Sequence, residues 1–151
     1  MRQAISPAGA NLEYLHAMKD QQAVAHEYGN PVTITLPGES EVARDAYGSI
    51  TSRPTEAILN MNAAQIDYQP SQRQRERAGL RETCDAIAYF SMQDWLDAGY
   101  RFDDIDCTRM FVRIDTLPGE ETGTLYDVRE KGRSMGFASG YLCITLGLSK
   151  R

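Results

Sequence analysis

The 151-residue sequence has few cysteines, only two histidines and no long apolar run. An odd number of cysteines without CxxC spacing predicts reduced core residues rather than disulfides or a zinc site; the three are Cys84, Cys107 and Cys143. His16 and His26 are ten residues apart, so they cannot form the i, i+4 pair that a helical zinc site uses. No metal site is therefore predicted.

Targeting and membrane segments are lacking as well. The first twenty residues have no apolar core like that of a signal peptide. No later stretch approaches the roughly 18 apolar residues that a membrane span needs. We expect a chain that is cytoplasmic or assembled in the cytoplasm, without membrane contact.

Catalytic motifs are also missing from the sequence. It contains no nucleophile elbow, no P-loop and no glycine-rich dinucleotide fingerprint. Two glycine-rich stretches, 119–123 and 132–140, are interpreted as connections between strands. The sequence thus predicts no enzyme, no catalytic residue and no cofactor.

What is present is the composition of an ordinary globular domain. Hydrophobic residues make up 42% of the chain and charged residues 25%, without low-complexity tracts. The length suits one domain with appendages. The net charge of −5 excludes a uniformly basic nucleic-acid-binding surface but leaves room for a local basic patch.

Residues 1–30 are predicted to form an N-terminal helical arm. Ser6-Pro7 is a favourable helix start, and Gly29-Asn30-Pro31 is a firm stop. The apolar stripe is thin, because large apolar groups occur only in the first turns, at Leu12, Leu15 and Met18. Such a helix can pack on its own domain or dock in a groove of a neighbouring subunit, and these three residues are the candidate contacts to a partner.

Residues 31–151 have a sequence pattern that is typical of short strands separated by turns. We predict a mainly β fold, a small antiparallel β-barrel or sandwich, with the N-terminal α-helix, one short helix over 91–99 and a long polar loop over 68–81. The predicted strands are 32–36, 86–90, 110–114, 124–128 and 141–146, with weaker signals at 47–51 and 55–61. Aromatic residues such as Trp95, Phe90 and Phe111 are expected to build or cover the core.

Five sequence features follow one another in a characteristic order. They are a Gly-Leu pair at 79–80 before a strand, a Gln-Asp-Trp helix at 93–95, an acidic turn at 103–106, a strand pair around 113–115 and 125–128, and a terminal strand at 141–148. This order resembles the head-closure, or stopper, proteins that lie between head and tail in tailed bacteriophages. The likeness covers roughly residues 32–151.

The resemblance implies a structural protein of the virion neck, assembled in the host cytoplasm. It implies a homo-oligomeric ring, of about twelve copies, with heterologous contacts between subunits. Portal and adaptor proteins would lie above the ring and tail proteins below it, and a loop from each subunit would narrow the channel around packaged double-stranded DNA.

Four arginines in the polar loop are the candidate DNA-channel residues, because a ring repeats each loop charge around its lumen; they are Arg73, Arg75, Arg77 and Arg81. Glu76 and Glu82 partly neutralise this run. The loop can therefore also be a solvated segment, or it can pair with acidic residues of a neighbouring subunit.

A second charged candidate is the acidic turn formed by Asp103, Asp104 and Asp106. Its spacing is not that of a calcium-binding EF-hand loop, so it is interpreted as a solvated turn or as a contact for an arginine of another subunit or partner.

Two other functions fit the same residues. One is a barrel-type module that binds single-stranded nucleic acid through the arginine loop and exposed aromatic side chains. The other is a different neck component, an adaptor or a tail-completion protein. Adaptors of this kind are largely helical, whereas this sequence is rich in strand signals.

Overall fold

The computed structural model describes residues 5–36, 43–44, 46–47, 50–52, 57–115, 123–137 and 140–151. Nine strands, three α-helices and one 3-10 helix lie within these ranges. In chain order they are α1 (Ile5–Tyr28), β1 (Asn30–Leu36), β2 (Ala43–Arg44), β3 (Ile50–Ser52), β4 (Ala57–Ala63), β5 (Gln65–Tyr68), α2 (Gln72–Arg77), β6 (Ala86–Ser91), α3 (Met92–Asp97), the 3-10 helix (Phe102–Asp104), β7 (Phe111–Ile114), β8 (Thr124–Phe137) and β9 (Gly140–Lys150).

The predicted mainly β fold with an N-terminal helix is confirmed. Seven strands form one antiparallel sheet in the order β4-β1-β7-β8-β9-β6-β5, and β2 pairs with β3 in a separate ribbon. The sheet is not closed into a barrel. Its two end strands follow each other through Ala64, but β4 pairs with β1 whereas β5 pairs with β6, so no ladder between described strands joins the ends.

The main core lies on one face of this sheet. Trp95 of α3 is fully buried and makes edge-to-face contacts with Phe90 of β6 and with Tyr100. Edge-to-face packing is a preferred geometry for aromatic pairs. Ser91 caps α3, because its hydroxyl oxygen accepts a hydrogen bond from Gln93 N, and Gly99 ends the turn with a φ of 91°. The short helix and the aromatic core predicted there are thus confirmed.

The N-terminal helix packs on its own domain, against α3, β4, β6 and β9. Met18 and Ala25 supply its buried contacts. A Cβ at Gly29 would lie 2.3 Å from the Ala25 carbonyl oxygen and 2.6 Å from that of Ala63. Only glycine therefore allows the chain to pass this closely from α1 to β1.

The segment 68–81 is not one long loop, as predicted, because it contains α2. Ser71 accepts a hydrogen bond from Gln74 N at its hydroxyl, while the Gln74 side chain accepts one from Ser71 N. This reciprocal pair is a capping box, which stabilises the first turn without any buried side chain. The sequence pattern lacked apolar periodicity because none of the helix residues is buried.

The stretch 132–140 is also different from the prediction. β8 continues to Phe137 and β9 begins at Gly140, so most of the stretch lies in a long hairpin rather than in a connection. The other glycine-rich stretch, 119–123, lies outside the described residues apart from Gly123.

Candidate functional site

The arginine-bearing segment is held firmly against the long hairpin. We call residues 70–82 the arginine platform. The Thr145 hydroxyl donates a 2.6 Å hydrogen bond to the Ala78 carbonyl. A Cβ at Gly132 of β8 would lie only 2.6 Å from the same carbonyl oxygen. The backbone after α2 therefore rests directly on the β8–β9 ladder.

The far end of the platform is fixed by a carboxylate and by a small apolar cluster. Glu130 accepts hydrogen bonds from the backbone N–H groups of Arg81 and Glu82 at 2.9–3.0 Å. Ala78, Leu80 and Cys84 pack with Ile87 in a cluster apart from the main core. The arginines are thus carried by a rigid element.

The four predicted arginines divide into one structural residue and three free ones. Arg75 is half-buried and donates a 3.1 Å hydrogen bond to the Pro70 carbonyl. Arg73, Arg77 and Arg81 are exposed, and their side chains make no hydrogen bond or ion pair with described residues. Three guanidinium groups on each platform are therefore available to a phosphate or a carboxylate.

The acidic turn lies within residues 101–110, and most of its carboxylates form hydrogen bonds inside that segment. Asp104 accepts a 3.1 Å hydrogen bond from Arg101 N, and Asp106 accepts one of 2.9 Å from Thr108 N. The bonds from Thr108 lower the pKa of Asp106. Asp103 is exposed and makes no such bond with described residues. Asp104 and Asp106, two of the three predicted partner contacts, are thus bonded to the backbone of the turn itself.

Lys131 of β8 anchors this turn to the sheet. Its ammonium group donates hydrogen bonds of 2.7 Å to the carbonyls of Phe102 and Ile105 and lies 4.6 Å from the centre of the Phe102 ring. The two hydrogen bonds and the cation–π contact compensate for the partial burial of the Lys131 charge.

The three candidate contacts on α1 have different positions. Leu12 is 54% exposed and Leu15 is 44% exposed, so both can meet a partner. Met18 is 2% exposed and packs in the core of its own domain. Contrary to the prediction, Met18 is not accessible to a partner, because its side chain helps to hold the helix on the sheet.

A groove of about 650 Å³ runs along β4 and was not predicted from the sequence. Five consecutive β4 residues, Ile58 to Asn62, line one side. Because successive side chains of a strand point to opposite faces, only a cavity that follows the strand edge can touch all five. Among the described strands β4 pairs only with β1, so its other edge faces the groove with unpaired backbone groups.

The opposite wall of this β4 groove is polar and acidic. The Gln22 amide nitrogen donates to Asp94 at 2.8 Å and to Asp97 at 2.7 Å, and thus joins two carboxylates of α3. Nε2 of His26 lies 2.8 Å from the same Asp94 oxygen. Bonds from Gln22 and Gln93 lower the pKa of Asp97.

Asp94 is the unusual member of this wall. It is only 9% exposed, and its second oxygen, Oδ2, has no hydrogen-bond partner in the described structure. A buried carboxylate oxygen without a donor is costly. The other oxygen, Oδ1, accepts from Gln22 and lies beside His26, so the charge of Asp94 reaches the groove from a carboxylate that is held by its own chain. No lysine or arginine is among the described residues that line the groove.

Sequence reasoning missed this site because its parts are far apart in the chain. His26 and Asp94 are 68 positions apart, and the fold alone brings them together. One signal was available, since Gln22 and His26 are a polar i, i+4 pair on the helix that was predicted either to pack on its own domain or to dock in a neighbouring subunit.

In the described ranges, no three acidic, histidine or cysteine side chains lie close enough together to hold a metal ion. Cys84 and Cys143 are buried free thiols and Cys107 is half-buried, as predicted for reduced core residues. Burial raises the pKa of Cys143 to about 11.

Across the described residues, no helix has both the length and the apolarity that crossing a membrane requires.

Comparisons with known proteins add no relative. No family model matches the chain, and neither a curated protein nor a solved structure matches it at a significant level. Function is therefore argued from the arginine platform, the β4 groove and the exposed side chains of α1.

Proposed function

We propose that this chain is a structural subunit of the neck of a tailed bacteriophage. In this role it forms a ring between the portal and adaptor above and the tail below, and closes the DNA channel after packaging. The order of the sequence elements, which resembles head-closure proteins, is the starting point. The mainly β domain with an N-terminal helix is compatible with that resemblance.

The observation that carries the proposal is the presence of opposite charges on two separate surfaces of one rigid subunit. The platform offers free guanidinium groups, and the β4 groove offers two carboxylates and, among its described lining residues, no lysine or arginine. A heterologous contact joins one surface of a subunit to a different surface of the next, and it builds a ring when the rotation closes. The exposed Leu12 and Leu15 of α1 add apolar area for further contacts.

The ring would act through geometry and charge rather than through bond chemistry. The sheet would form the wall, with about twelve copies around the axis. An arginine that faces the lumen would attract phosphate groups of any sequence, which suits the retention of packaged double-stranded DNA. Arg81 follows α2 in the chain and is one of the three free arginines, and we assign it to this task.

The test is deletion of the gene from the phage, followed by electron microscopy of the lysate. We expect separate heads and tails, with heads that have lost their DNA, and normal particles when the gene is supplied from a plasmid. Intact infectious particles from the deletion strain would overturn the proposal.

The free arginines also favour a second candidate, a protein that binds single-stranded nucleic acid. Tyr68 is 59% exposed and could stack on a base. Titration of the purified chain with single-stranded DNA at rising salt separates the two. A nucleic-acid-binding protein would bind as a monomer and lose affinity steeply with salt, whereas an isolated neck subunit should bind negligibly. An adaptor or tail-completion protein would differ from a stopper in the ring that it contacts in the particle.

A further inference from the structure

We propose that the β4 groove receives the Arg73 and Arg77 side chains of a second copy of this chain. This inference rests on the proposed ring and names its subunit contact. It assigns the two arginines to the neighbouring subunit rather than to DNA, and it gives the acidic wall of α3 a partner.

Among its described lining residues the groove carries two carboxylates, Asp94 and Asp97, and no lysine or arginine. The edge of β4 that no described strand pairs with presents backbone carbonyls and N–H groups beside them. A guanidinium group is always charged and has five N–H donors, so it complements the negative charge and can bond to the carbonyl groups at the same time.

The spacing of the charges also matches. Asp94 and Asp97 are three residues apart in α3, and the single Gln22 nitrogen that bonds both carboxylates shows that they are neighbours. Arg73 and Arg77 are four residues apart in α2. Pairs at i, i+3 and i, i+4 lie about 5–6 Å apart on one helix face, so two arginines can meet two aspartates at once. Arg75 is absent from this pair because it bonds to Pro70 of its own chain.

The occupant is a second copy because the arginines lie elsewhere in the same subunit. Gln22 and His26 of α1 line the β4 groove, whereas Gln21 and Val24 line a different cavity that also includes Arg77. The two charged surfaces thus lie on different sides of α1. A contact between them joins unlike surfaces of two copies and leaves one of each free, which is the arrangement that extends into a ring.

The test uses charge reversal and analytical ultracentrifugation of the full chain at high concentration. We expect the wild-type chain to self-associate and to dissociate when salt is raised from about 50 mM to about 500 mM. The variant R73E/R77E and the variant D97R should each associate at least about tenfold more weakly, since like charges then face each other. Asp97 is chosen because its side chain is exposed, whereas a change at Asp94 could disturb the core.

Mixing the two variants is the decisive step. The glutamates of R73E/R77E would face the arginine of D97R, and the arginines of D97R would face the native Asp97 of the other variant, so an equimolar mixture should associate again. The control R101E changes an exposed charge outside both surfaces and should leave association unchanged. Circular dichroism and thermal melting confirm that each variant is folded.

A wild-type chain that stays monomeric, reversed variants that associate like the wild type, or a mixture that stays dissociated would overturn the inference. Supplying the same variants to the deletion strain separates this failure from that of the proposed function. Particles rescued by both reversed variants contradict the subunit contact alone, whereas particles that need no copy of the gene contradict the neck function.

Discussion

The arginine platform and the acidic turn are both polar segments between strands, yet the molecule uses their charges differently. They lie against opposite faces of β8, where adjacent residues make the contacts: Lys131 reaches the turn, and Gly132 meets the platform. The turn binds two of its three carboxylates to its own backbone, whereas the platform leaves three of its four arginines free. A local charge run therefore indicates a partner surface only when its groups remain unpaired in the fold.

Substitution of Gly132 should detach the platform and have the largest effect. A new Cβ would press on the Ala78 carbonyl at 2.6 Å, the Gly79 carbonyl at 2.9 Å and the Thr145 hydroxyl at 2.7 Å. We expect Gly132→Ala to lower the free energy of unfolding by about 3 kcal/mol, measured by urea denaturation. Gly136→Ala in the same hairpin is the control, since its nearest neighbour is 3.8 Å away. Equal stability of the two variants would show that the platform does not rest on β8.

Loss of the Lys131 ammonium should loosen the acidic turn without disturbing the platform. Lys131→Met keeps the apolar stem but leaves the carbonyls of Phe102 and Ile105 without their donor. We expect a loss of about 2 kcal/mol in the free energy of unfolding. Lys19→Met on the exposed face of α1 should change it little. A Lys131→Met chain as stable as the wild type would contradict the role given to this anchor.

The platform side of the sheet should also respond to alkaline pH through Tyr89. Burial and the hydrogen bond to Asp67 raise the pKa of Tyr89 from 10.0 to about 12. Because the folded state favours the neutral phenol, the stability it contributes is complete below pH 10 and is lost as the pH rises towards 12. In denaturation experiments over this range, Tyr89→Phe should lose less stability with pH than the wild type. If the stability of the two proteins fell equally with rising pH, ionisation of Tyr89 would not be the cause of the loss.

Removal of the free arginines should have the smallest effect on stability. In the triple variant R73A/R77A/R81A the lost groups have no partner among described residues, so the free energy of unfolding should change by less than about 0.5 kcal/mol. Self-association should nevertheless weaken. A large loss of stability would mean that these side chains support the fold and are not reserved for a partner.

Much of the fold could be predicted from local patterns. The β-branched run of β1 and the serine cap and closing glycine of α3 have direct physical signatures. The weaker strand signal at 55–61 also corresponds to a strand, β4, at Ala57–Ala63. The platform helix was missed because its capping box carries no apolar periodicity, and its anchors, Ala78 and Leu80, follow the helix.

The candidate site was less predictable, because it depends on contacts between distant residues. The free and bound arginines look alike in the sequence, and only the fold shows that Arg75 turns to Pro70. Asp94 appears in the sequence as one residue of a short amphipathic helix. Its importance comes from burial beside His26 and from the unpaired edge of β4, neither of which has a local signature.

The most direct measurement of the central claim is a cryo-electron microscopy map of the neck of intact particles of the encoding phage. We predict a ring of this open-sheet fold between portal and tail, with α2 of each copy beside α3 of the next copy. A complete neck built only of other proteins would contradict the account.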